Sequence, residues 1–274
     1  MPAHNLKAWI DGRRERLRWI DFTAYAHRVF AAGNDRWLVD PHVHAGGLGQ
    51  AQGVIGTEVL SIDVLAPYFA ALVPNSEAPA AAAQAMFEQS APSVFIGEVL
   101  DALAHSLGGK VDLVVRIPSP ADVLRAAGLV GEATFDDLDD TAIALANVLR
   151  AYAERPLSGI LVTASADLAD DEVEALETVV SAARHYGWCV AISFDNATQP
   201  AVDGPPIGAD VALYPGCDFA ALAGIRDAGG GLAPAFWAGG IAPPDQGRVL
   251  AYGIIPADAQ PETVVRCAAG LKQA

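Results

Sequence analysis

Asp40, His42 and His44 fall close together in Trp37 to Gly49, WLVDPHVHAGGLG, just after a short apolar run. If Leu38 to Asp40 is a β-strand, these three side chains gather at its carboxyl end, where α/β barrels keep their chemistry. Two imidazoles and a carboxylate in that spacing suit a metal ion or an acid–base pair. An HxH triplet does not choose between them, so other strand ends must supply the rest. A second reading continues HVHAGGLGQAQGVIG as a helix, at a cost of about 1 kcal/mol for each glycine. In that case His42 and His44 diverge on its surface and the metal reading fails.

The elements that would position such a site come from the apolar periodicity. Residues 5 to 32 carry Leu6, Trp9, Ile10, Leu17, Trp19, Ile20, Tyr25, Val29 and Phe30 among charges, which predicts two amphipathic helices. They would form a leader over residues 1–36 that caps one end of the domain. Arg13, Arg14, Arg16 and Arg18 fall inside one of these helices, a pattern that could hold an anionic group but reads better as a solvated face. After the strand at Leu38, short apolar or β-branched runs predict strands at 59–65, 111–117, 159–163, 189–194, 210–214, 232–237 and 249–255. Helical segments separate most of them, over 94–107 with a stop at Gly108, 140–152, 170–186, 218–227 and 261–271. Eight strands alternating with helices in 274 residues predict an α/β fold, a single (β/α)8 TIM barrel spanning 1–274 with an N-terminal helical extension. A doubly wound open sheet is the alternative.

On the barrel reading, the carboxyl ends of the strands form a polar rim of both charge signs, as a pocket for a small polar molecule needs. Arg116 ends the apolar strand VDLVVRI, and a buried guanidinium needs an anion beside it. Arg116, Asp195, His42 and His44 are the candidate catalytic residues. Asp63, Ser193, Asn196, Tyr214 and Trp237 are candidate substrate-binding residues, and Thr163 and Ser165 stand after the fourth strand. Cys217, at the start of a helix, is either an activated thiolate or a small buried side chain.

Composition excludes several classes of partner. Lysine and arginine number 17 against 33 acids, a net charge of −16 that repels nucleic acid and anionic membranes. Cys189, Cys217 and Cys267 are odd in number and widely spaced, which suits a reducing compartment. No segment has the apolar length of a signal peptide or membrane span, so a cytoplasmic location is expected. The expected partner is an anionic small-molecule substrate, with homo- or hetero-oligomer formation left open.

Two family resemblances add to these readings. Asp40 to His44 resembles the first-strand motif of amidohydrolases, which implies a hydrolase whose HxH pair holds zinc. Asp258, after the last strand, would complete a site with His42 and His44. No histidine stands at the ends of strands five and six, where that family places further ligands. From Val94 onward, the order VFIGEVLDALAHSLGGKVDLVVRIPSPADVL, GILVTAS, ARHYGWCVAISFDN, ADVALYPG, LAPAFWAGGIAPP and VLAYGIIPAD is similar to the superfamily joining uroporphyrinogen decarboxylase to cobalamin-independent methionine synthase.

That second resemblance implies a (β/α)8 barrel acting on a carboxylated substrate, by decarboxylation, C–C or C–S cleavage, or methyl or alkyl transfer. Arg116 would hold the anion and Asp195 would manage a proton or a cation. The methyltransferase branch binds zinc through a histidine and cysteines, but here the matching strand end reads Ser193, Phe194, Asp195, so no cofactor is assigned and zinc is kept as the alternative. A non-catalytic partner subunit with a degenerate barrel is the remaining alternative.

Overall fold

The computed structural model describes residues 4–164, 168–197, 199–200, 205–206, 208–239 and 248–273. Ser165 lies outside these described residues. The chain opens with α1 (Asn5–Ile10), β1 (Arg16–Asp21), α2 (Thr23–Val29), α3 (Pro41–Ile55) and β2 (Val59–Asp63). It continues with α4 (Ala66–Phe69), α5 (Pro79–Phe87), α6 (Ser90–Leu107), β3 (Asp112–Pro118), α7 (Pro120–Ala126), α8 (Phe135–Arg150) and β4 (Leu157–Ala164). The remainder is α9 (Asp170–His185), β5 (Cys189–Phe194), β6 (Val211–Tyr214), β7 (Ala228–Gly231), β8 (Val249–Ile254) and α10 (Pro261–Gln273). The strands pair in chain order, all parallel, and β8 returns to β1 to close the barrel. The fold class is therefore the (β/α)8 barrel that the alternation of elements predicts.

The alternation of side chains along each strand sorts residues between two cores. Leu17, Trp19, Val59, Val114, Leu161, Ala191, Leu213, Leu250 and Tyr252 fill the barrel interior. Ile20, Leu60, Ile62, Val115, Ile117, Ile160, Val162, Val190 and Ile192 face outward and pack under the helices. Burying a large aliphatic side chain stabilises by about 1.5–3 kcal/mol, so both layers are substantial.

Helix α1 closes the amino end of the barrel. Its Leu6 and Trp9 join the interior core, and the Leu6 amide donates to buried Asp112 Oδ2 at 2.7 Å. The Arg248 guanidinium lies 4.1 Å over the Trp9 ring, a cation–π contact that fastens β8 to the plug.

Two strands differ from the sequence expectation. The first is Arg16–Asp21, inside the segment expected to be a helical leader, and Leu38 to Asp40 is not a strand. Instead Asp35–Leu38 makes one 3-10 turn and Asp40 caps α3. The arginines expected on one helix face are split. Arg14 and Arg18 fall on either side of the strand start and both meet Glu58, the residue before β2.

The seventh strand is Ala228–Gly231, and Phe236–Ala238, which overlaps the end of the expected strand 232–237, is another 3-10 turn. Residues 218–227 form successive turns in place of a helix. The physical cause in β7 is steric. A Cβ at Gly229 would fall 2.0 Å from Leu250 Cδ2, and one at Gly230 would fall 2.6 Å from the Tyr214 carbonyl oxygen.

Candidate active site

At the carboxyl ends of β1, β2 and β3, three side chains lock together. Arg116 Nη1 donates to Asp21 Oδ2 at 2.5 Å and Nη2 donates to Asp63 Oδ2 at 2.8 Å. The β2–β3 register sets Asp63 directly beside Arg116, because both are inward positions of paired strands. Each aspartate is held in turn by backbone. Asp21 Oδ1 accepts from the Thr23 amide at 2.9 Å, and Asp63 Oδ1 accepts from the Leu65 and Ala66 amides at 3.0 Å. Burial disfavours the Arg116 charge, but the two carboxylates outweigh it and raise its proton affinity above the ordinary arginine value.

Across the mouth, the residue after β5 is Asp195. Its Oδ1 accepts from Ser193 Oγ at 2.8 Å. Asp195 is exposed as a residue, yet the barrel rim desolvates its carboxyl group. Desolvation raises its pKa, with Asp21 and Asp122 adding repulsion, against the lowering effects of the Ser193 hydroxyl and Arg116. Beneath it, Tyr252 of β8 is 1% exposed and stacks edge-on against Trp19. Its phenol is in hydrogen-bonding reach of Ser193, and burial together with Asp21 and Asp195 keeps it protonated. One layer further down, Trp19 Nε1 donates to Ser61 Oγ at 2.7 Å.

These groups border a cavity of about 200 Å³ lined by Asp63, Phe69, Arg116, Pro118, Thr163 and Asp195. A larger groove of about 790 Å³ lies outside the barrel between α5, α6 and α8 and touches no strand end. The small cavity is the better candidate for chemistry, since its walls are the carboxyl ends of strands and its polar groups converge.

The candidates from the sequence divide clearly. Arg116, Asp195 and Asp63 share the cavity, with Ser193 directly behind Asp195. Asn196 follows Asp195 on the exposed rim. Tyr214 faces outward and stacks on Phe194, with ring centroids 5.6 Å apart, so it belongs to the layer under the helices and not to the pocket. Trp237 is also part of that outer core. With exposed Asp258 it borders a separate depression of about 290 Å³ beside the start of α10. Cys217 is buried, and desolvation raises its thiol pKa, which opposes the thiolate reading.

The histidine pair does not form a site. His42 and His44 sit two positions apart on α3, which Asp40 caps by accepting from the His42 and Val43 amides at 3.0 and 3.3 Å, with Pro41 in the first turn. Two residues on a helix point to different faces. His42 is exposed, whereas His44 is 1% exposed and stacked on Trp37 at 4.2 Å between centroids. Its Nδ1–H donates to the Trp37 carbonyl at 3.0 Å, and burial lowers its pKa to about 4. Asp258 stands after β8 without either imidazole beside it, and among the described residues no three His, Cys, Asp or Glu side chains converge. The His42, His44 and Asp258 set thus does not fit a zinc ion, and an amidohydrolase-type centre has no geometric basis here.

Asp21 and Tyr252 are the supporting members of this candidate cluster that sequence reading missed. Asp21 ends RLRWID, whose Leu17, Trp19, Asp21 alternation is a strand signal hidden by flanking helical residues. Tyr252 follows Leu250 at the same inward spacing in VLAYGI.

No family model matches the chain, and no curated protein matches it. Among solved structures, 2,3-dimethylmalate lyase, described as a PEP mutase/isocitrate lyase superfamily member, aligns with a TM-score of 0.43 at 10% identity. That alignment covers 100% of this chain and 86% of the lyase. A pyruvate carboxylase variant from Rhizobium etli, solved with the allosteric activator acetyl coenzyme A, aligns with a TM-score of 0.40 at 9% identity over 77% of this chain. The chain spans only 18% of that carboxylase. The fold assignment rests on the closed ring of strand pairs. No helix among the described residues is long and apolar enough to cross a membrane.

Proposed function

We propose that this barrel is a small-molecule enzyme of the uroporphyrinogen decarboxylase and methionine synthase-like type, working on a carboxylated substrate without that superfamily's zinc ligands. The observation that carries this reading is the position of Asp195. It faces the clamped Arg116 across a strand-end cavity and has a raised pKa. A carboxyl group with a raised pKa holds its proton better than an ordinary one, which suits it to donate as a general acid. Arg116 spends one N–H on each of Asp21 and Asp63, and a guanidinium carries five, so others remain for a substrate carboxylate.

In the decarboxylation version, the carbon–carboxylate bond breaks, its electron pair stays on the substrate carbon, and CO2 leaves. The carbon takes the proton of Asp195, which solvent then restores. Cleavage or group transfer would use the same acid on a different leaving group.

The test compares wild-type protein with Asp195→Asn, each incubated with a small-molecule extract and followed by mass spectrometry. Consumption of a carboxylated compound by the wild type and not by the variant supports the reading. Equal profiles from both proteins would overturn it in favour of a non-catalytic partner subunit.

A further inference from the structure

We infer that the groove outside the barrel is a second binding site, built for an organic ammonium whose apolar body ends in a hydrogen-bond acceptor. Helices α6 and α8 follow neighbouring strands, yet they scarcely meet, although α3 packs on α6 and α8 packs on α9. Helix α5 rests on α8 in the gap, and the alanines that border it, such as Ala83 and Ala144, are too small to fill it. The space that remains is about 790 Å³, within the range of small-molecule sites. It shares no lining residue with the barrel-mouth cavity: on α4, Tyr68 lines the groove and Phe69 lines the cavity. The inference therefore does not depend on the proposed activity.

Three features set the chemistry of the ligand. Tyr68 and Phe87 stand in the wall with ring centroids 6.1 Å apart, an apolar surface whose ring faces attract a cation. Glu88 and Asp140 are its carboxylates, and among the described residues no lysine or arginine lines the groove or pairs with either. Arg155 is held by Asp101 and by the Gly97 and Ala151 carbonyls, and Arg150 is exposed on α8 without lining the groove. The field of both carboxylates thus favours an ammonium and opposes an anion. Behind the wall, Tyr152 is fully buried; its hydroxyl lies near those of Tyr68 and Ser93 and completes no hydrogen bond. Buried hydroxyls are ordinarily paired. A ligand acceptor that takes the proton of Ser93 or Tyr68 leaves that oxygen free to accept from Tyr152, which joins the hydroxyls into one donor chain.

Three probes separate these features: para-methoxyphenethylammonium, phenethylammonium, which lacks the acceptor, and para-methoxyhydrocinnamate, which reverses the charge. Each is titrated into isotope-labelled full chain and read by the amide NMR shifts of Ala83, Ala144 and Asn147. The expected result is saturable binding of the methoxy cation, several-fold weaker for phenethylammonium and at least tenfold weaker for the anion. A Glu88→Gln Asp140→Asn double variant, altered at two exposed positions, is expected to weaken both cations at least tenfold while its thermal unfolding stays close to wild type. Tyr152→Phe is expected to erase the difference between the two cations and leave the weaker affinity in place. An anion that binds as tightly as the methoxy cation, no saturation by either cation, or binding unchanged in the double variant would overturn the assignment. A methoxy preference that survives Tyr152→Phe would overturn the acceptor end of the ligand. Sedimentation of the ligand-free chain tests the other occupant: a dimer that Ala81→Trp splits at the groove edge would place a second copy there and overturn the small-molecule reading.

Discussion

Arg116 and Asp21, 95 residues apart in sequence, meet at 2.5 Å because β1 and β3 both turn their last inward position toward the centre of the barrel mouth. Removing the guanidinium leaves two aspartates facing each other without compensation. Arg116→Ala should therefore destabilise, by less than the about 3–5 kcal/mol expected for breaking a fully buried pair from one side, because Arg116 and Asp63 are 22% and 24% exposed. Adding Asp21→Asn and Asp63→Asn to that variant should restore a good part of the loss. Urea unfolding of the single and triple variants measures this, and an additive result would show that the three side chains do not act as a unit.

Tyr252 supports Asp195 through Ser193 and does not reach the cavity lining itself. Tyr252→Phe removes the phenol hydroxyl beside Ser193, and if that hydroxyl helps hold the Ser193 Oγ–Asp195 hydrogen bond, the Asp195 pKa should rise further. Carbon-13 titration of the Asp195 carboxyl reads the shift directly, and Ser193→Ala should move it in the same direction. An unchanged titration in both variants would limit Tyr252 to packing against Trp19.

His44 gives the fold a pH dependence whose sign follows from burial. Its folded pKa, about 4, lies below the ordinary 6.5, so the unfolded chain takes up a proton first as pH falls. The associated stability is intact above pH 6.5 and is lost progressively down to pH 4, by about 3 kcal/mol in total. His44→Phe keeps an aromatic ring against Trp37 and should flatten the stability curve in that window. Chemical unfolding at pH 7, 6, 5 and 4.5 would show it, and parallel curves for the two proteins would refute it.

Gly230 has no room for a side chain, since its Cβ would meet the Tyr214 carbonyl oxygen at 2.6 Å and Leu222 at 2.7 Å. Gly230→Ala should force β6 and β7 apart and cost about 1–3 kcal/mol, as overpacking does, with a matching fall in thermal midpoint. The control is Gly46→Ala on α3, where a Cβ meets nothing within 4 Å. That change should stabilise slightly through helix propensity.

The barrel was legible in the sequence wherever strands carry their own apolar pattern. VDLVVRI and CVAISF are buried runs bounded by turn residues, and any packing that hides them makes them strands. The strand-end positions of Arg116 and Asp195 were legible for the same reason, being charges at the ends of such runs. The helix start at Asp40 was also written locally, in an aspartate cap followed by Pro41, and that signal outweighs the strand reading of Leu38 to Asp40.

What only the tertiary structure decided are the elements whose local signal is weak or shared. RLRWID has alternation enough for a strand and apolar spacing enough for a helix, and pairing with β8 and β2 selects the strand. AGGG has no side chains to pattern at all. It is a strand because Leu250, Tyr214 and Phe219 leave space for backbone alone. The partnership of Arg116 with Asp21 likewise follows from barrel closure, which no local spacing encodes. Sequence determined the apolar faces and the charged strand ends; closure of the sheet decided which of those ends face one another.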